Sequence, residues 1–133
     1  MMVTINKVTL AKEMAAEAKR ILQNSSKDID LINSIVLSGS VLGIVEPLLV
    51  EKGVETTHRL FSRIEQKFAQ PGDEPLKTAV FKSVYNSMKH AGDRRRKIDP
   101  SQDLEIRADL AEEAQWLLDA ASEDIRKLEK FEF

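Results

Sequence analysis

"SIVLSGSVLGIVEPLLVEKG" (residues 34–53) is the stretch on which the fold turns. Across residues 29–52, Ile32, Ile35, Val36, Leu42, Val45, Leu48 and Leu49 leave almost no polar face. A helix that is apolar nearly all round is one surrounded by other helices. Its densest apolar run, residues 35–45, is about half the length that spans a bilayer. The expectation is therefore a central core helix in a cytoplasmic protein with no membrane partner. Gly39 and Gly43 lie one turn apart, and each weakens a helix by about 1 kcal/mol relative to alanine. Close approach of a neighbouring helix is the expected compensation. Pro47 is expected to kink the helix or end its first part, and Gly53 to cap it.

Working outward, Thr9 reads as the cap of a first helix over 10–23, with Leu10, Met14, Ala18, Ile21 and Leu22 on one face. After "ETT" (55–57), Leu60, Phe61, Ile64 and Phe68 form the apolar stripe of a third helix. His58, in its first turn, reads as a surface residue. The loop "QPGDEP" (70–75) leads to a fourth helix starting at Pro75, with Leu76, Ala79, Val80, Val84 and Met88 inward and Gly92 as its C-terminal cap. A last helix runs from about Arg107 to 130 after a cap at Asp103. Leu110, Ala114, Leu117, Leu118, Ala121, Ile125 and Leu128 form its core face, and Glu123 and Lys127 an outer pair. No segment alternates as a strand does, and no repeat is present. These patterns predict an all-α fold, a five-helix bundle of up-down type, as a single domain over residues 1–133. The apolar coat of the second helix exceeds what a small bundle needs, so a homodimer is expected.

Composition narrows the chemistry. The chain has no cysteine and only two histidines, His58 and His90. A disulfide framework, a thiolate nucleophile and an all-histidine zinc site within one chain are excluded. No phosphate-binding glycine loop, HExxH or GxSxG motif is present. Glu55 and His58 have Glu-x-x-His spacing, but in a single copy, so no metal and no cofactor is expected. The net charge of −2 conceals an asymmetry: residues 82–97 carry six cations against Asp93, whereas residues 99–133 carry eleven acids against four cations. A local cationic patch is therefore expected without a global basic footprint.

That patch is "NSMKHAGDRRRK" (86–97). On a helix, Lys82, Asn86 and His90 fall on one line, with Lys89 beside it and Tyr85 flanking. Four consecutive cations follow: Arg94, Arg95, Arg96 and Lys97. Guanidinium groups match phosphate geometry, and histidine titrates near neutral pH, where it can act as an acid or base. Asn86, Lys89, Arg94, Arg95, Arg96 and Lys97 are the candidate binding residues, and His90 the candidate catalytic residue. The opposing interpretation is a charged helix end complementing its dipole, followed by a solvated loop.

"YNSMKHAGD" (85–93), followed by "DLAEEAQWLLDAASED" (109–124), resembles small bacterial all-helical proteins with an N-x-x-K-H-A helix end, a class similar to the HEPN (higher eukaryotes and prokaryotes nucleotide-binding) domains. The likeness covers roughly residues 30–125, and the KHA segment is its specific part. It implies a helical bundle, often dimeric, among RNA-cutting toxins and non-catalytic RNA- or nucleotide-binding relatives. Catalytic members carry Arg-x(4–6)-His. His90 matches the histidine, but positions 83–85 are Ser83, Val84 and Tyr85 rather than arginine. The resemblance thus implies binding of RNA or a nucleotide phosphate. A protein-interaction or dimerisation module without enzymatic activity comes next, and a metal-independent ribonuclease using His90 last.

Overall fold

The structure, a computed structural model, describes residues 1–73 and 78–133. The helix start expected at Pro75 and its inward Leu76 lie outside the described residues. Among the described residues there are five α-helices: α1 (Lys7–Asn24), α2 (Asp28–Glu51), α3 (Thr57–Phe68), α4 (Ser83–Lys89) and α5 (Leu110–Leu128). Single 3-10 turns occupy Thr78–Lys82 and Pro100–Gln102. Among the described residues there is no strand, only an isolated antiparallel bridge between Asp93 and Ile98.

The fold is built around α2, which packs along α1 and α5. Ile35, Val41, Leu42, Val45 and Leu49 are fully buried. α2 as a whole, not only residues 35–45, is long and apolar enough to cross a membrane. Its burial between two helices gives that apolarity a use within the chain. Part of the apolar coat stays outside this packing: Ile29, Val36 and Val50 are exposed.

α1 approaches α2 through a stripe of small buried residues, Ala11, Ala15 and Ala18, with Met14 and Leu22 half-buried against the core and Leu10 and Ile21 only half-buried. The alanine line lets the two backbones come close, and Ser34 donates its hydroxyl hydrogen to the Ala18 carbonyl at 3.0 Å. The cap of α1 is Asn6, not Thr9: the Asn6 side chain accepts from the Val8 and Thr9 N–H groups at 2.9 and 3.0 Å. Asparagine is among the strongest caps, and starting there lets Val8 pack on the core.

α2 does not end at Pro47 but runs on to Glu51. Proline removes one N–H and crowds the carbonyl four residues earlier, here that of Gly43. Gly43 is exposed and has open space around it, so the strain falls where water can take the carbonyl. The two glycines therefore differ. Gly39 is the site of close approach: a methyl group there would land inside the Tyr85 ring of α4. Gly53 has φ of +72° just past the helix end, as a terminating glycine does.

The outer helices are shorter than their sequence patterns predict, 12 residues for α3 and 7 for α4. Tyr85 is the only buried residue of α4, whereas Val80 is exposed and Val84 and Met88 are half-buried. One anchoring ring is too little to hold a long helix, and α4 accordingly begins at Ser83 and stops at Lys89. α5 starts at Leu110 because Asp109, not Asp103, caps it, accepting from the Glu112 N–H at 3.1 Å. The expected Glu123–Lys127 pair is absent. Glu123 pairs with Arg126, and Lys127 turns inward to Asp124.

Candidate functional site

α4 ends one residue before His90. That residue is extended (φ −160°, ψ 162°) and exposed, so the single line of Lys82, Asn86 and His90 does not form. Lys82 sits at the end of the 3-10 turn and pairs with the Glu46 carboxylate of α2. Asn86 and Lys89 line a groove against α2 with Gly39, Glu46 and Tyr85, and the Lys89 ammonium lies 4.5 Å from the centre of the Tyr85 ring. The sequence-derived site therefore divides. Asn86 and Lys89 belong to the α2–α4 groove, and His90 lies around the corner with the loop cations.

That loop is a closed turn. Asp93 and Ile98 exchange two backbone hydrogen bonds, both 2.9 Å. Inside it, the Asp93 carboxylate accepts from the Arg95 and Arg96 N–H groups at 3.0 and 3.3 Å. Lys97 adopts φ of +57°, the left-handed geometry that closes the tip. Gly92, at φ +81°, donates its N–H to the Asp103 carboxylate at 2.7 Å. Asp103 thus ties the loop rather than capping α5. Gly92 also has Ile98 and Pro100 backbone atoms where a side chain would stand, so a larger residue has no place there.

The consequence is electrostatic. The Asp93 carboxylate is taken up by backbone N–H groups. Among the described residues, no acid pairs with Arg94, Arg95, Arg96 or Lys97, all of which are exposed. His90, Arg94, Arg95 and Lys97 line one depression, while Arg96 does not. His90 faces the loop cations and not the core, contrary to a purely structural histidine bonded inside the bundle.

A second polar group escaped sequence reasoning. His58 is buried, with 4% of its surface exposed, and not on the surface. α3 faces inward through Thr57, His58 and Ser62. The His58 ring stacks on Phe81 with centroids 5.1 Å apart, and Nδ1 lies 4.0 Å from the Glu46 carboxylate, beyond hydrogen-bond reach. Burial, reinforced by the nearby Lys82 ammonium, pushes its pKa down to about 4. Beside it the fully buried Asp124 of α5 accepts from the Thr57 N–H at 2.9 Å and the Thr57 hydroxyl at 2.7 Å, with Lys127 at 3.4 Å. The signal was Asp124 itself, an acid three residues after Ala121 on the apolar face of α5. Among the described residues, no cluster of three or more histidine and acidic side chains could hold a metal ion. No family model matches the chain, and no curated protein or solved structure is significantly similar to it.

Proposed function

We propose that the chain is a HEPN-like helical domain that binds RNA or a nucleotide phosphate through the 86–97 segment, with residues 90–97 making the phosphate contacts. One observation carries this reading: His90, Arg94, Arg95 and Lys97 surround one exposed depression, and no acid among the described residues pairs with the loop cations. A closed turn that concentrates like charge at its tip is unfavourable by itself, and an anion relieves the repulsion. Paired guanidinium groups bind phosphate through two parallel N–H donors each. The two acids on the rim are engaged elsewhere. Asp93 accepts from loop N–H groups and Asp99 caps the turn at Pro100–Gln102. His90 therefore lacks a free carboxylate to act with, which favours binding over cleavage.

Fluorescence anisotropy with a short labelled single-stranded RNA, and separately with a nucleoside triphosphate, tests this. Binding should weaken steeply between low and physiological salt, because each neutralised phosphate releases counterions. R94A/R95A should weaken binding by about tenfold or more and flatten the salt dependence by about two phosphate contacts, with R96A alone having less effect. Absence of binding to either probe at low salt would contradict the reading.

A further inference from the structure

The most amphipathic of the outer helices has its apolar stripe facing out. α3 spends its inner face on Thr57, His58 and Ser62, leaving Phe61, Ile64 and Phe68 exposed at 45%, 40% and 77%. Their spacing of three and four residues runs the length of the helix. Across from Phe61 on α5, Trp116 is 60% exposed. Between the two helices lies a cleft of about 810 Å³, floored by His58 and Leu117 and walled by Phe61, Phe81 and Trp116. On α3 the lining ends at Phe61, whereas on α5 it runs from Glu113 to Lys127, about 21 Å at about 1.5 Å per residue, the span of about four helical turns.

The rim of the cleft on α5 carries Glu113, Asp119 and Glu123. Glu123 is held by Arg126, but among the described residues neither Glu113 nor Asp119 has a cationic partner. Among the described residues the one cation lining the cleft, Lys127, points its ammonium to the Glu55 carbonyl, the Thr57 hydroxyl and Asp124. Among the described residues, the charge left facing the groove is acidic. Partial burial, together with the neighbouring Glu112 and Asp109 carboxylates, raises the Glu113 pKa.

We propose that this cleft is a docking site for an amphipathic helix of a partner protein, with large apolar side chains on its inner face and lysine or arginine along its flank. Aromatic anchors entering between Phe61 and Trp116 would supply the affinity, and the flanking cations would reach Glu113 and Asp119. An apolar groove with acids on one rim discriminates by charge, because an acidic helix of the same shape meets like charge there.

Trp116, the only tryptophan of the chain, reports on the groove directly. The probe is a synthetic amphipathic helix of about 16 residues with a leucine and phenylalanine face and lysine flanks, compared with a twin carrying glutamate flanks. The lysine peptide should shift Trp116 emission to shorter wavelength in a saturable way and bind about tenfold more tightly than its twin, with the difference shrinking in high salt. E113K/D119K, on the exposed side of α5, should reverse the preference while its far-ultraviolet circular dichroism stays unchanged. If that variant does not fold, the comparison of the two peptides on the unaltered chain decides alone. Equal binding of the two peptides, or no change in Trp116 emission with either, would overturn the proposal. So would a chain that elutes as a dimer with Trp116 emission already shifted and reverts to monomer in F61A, because a second copy would then fill the groove.

Discussion

A lone histidine in a polar first turn gives no sign of burial, so the sequence pattern places His58 at the surface. Its partners come from distant parts of the chain: Glu46 on α2, Phe81 before α4, and Asp124 of α5 close by. Only the fold brings them together. Its physical signature is acid sensitivity. The folded pKa of about 4 lies below the ordinary 6.5, so between those values the unfolded chain binds a proton that the folded chain refuses. This contribution to stability is intact above about pH 6.5 and is lost as the pH falls toward about 4. Urea denaturation of the parent chain and of H58Q, a neutral replacement, should show it. Between about pH 7 and pH 4.5 the parent should lose about 2–3 kcal/mol more than the variant. Parallel pH profiles would mean that the ring is not held neutral in the folded state.

The two glycines of α2 test how the outer helices attach. Gly39 lies under the Tyr85 ring, whereas nothing stands within 4 Å of the position a methyl group would take on Gly43. G39A should force Tyr85 outward and cost about 1–3 kcal/mol. G43A should stabilise the chain by about 0.5–1 kcal/mol through helix propensity alone. Thermal denaturation of the two variants separates these signs, and equal stabilisation by both would show that α4 does not dock on α2. The contrast also marks what sequence periodicity can resolve. The extents of α2 and α5 were legible because long apolar runs repeat at the helical period. The direction in which α3 faces was not, because Thr57 and His58 are stabilised inside by Asp124 and by ring stacking that no local pattern encodes. For α4, periodicity marked Val80, Val84 and Met88, but the close approach permitted by Gly39 selected Tyr85.

Taken whole, the molecule is a three-helix core of α1, α2 and α5 that carries two separate surfaces. One is the cationic turn between α4 and α5, and the other is the acid-rimmed apolar groove between α3 and α5. The cationic segment was visible in the sequence as a run of charge, but its division was not. The break of α4 at Lys89 sends His90 to the arginines and leaves Asn86 and Lys89 facing α2. The two surfaces differ in charge and chemistry, so a ligand of one should leave the other undisturbed. The most direct test is a nitrogen–proton correlation spectrum of the labelled chain, titrated with a short single-stranded RNA at low salt. Binding at the cationic turn should move the resonances of His90 and residues 93–98 in a saturable way, leaving Phe61 and the Trp116 indole in place. Shifts confined to the α3–α5 groove, or no shifts at all, would contradict RNA binding by the 90–97 turn.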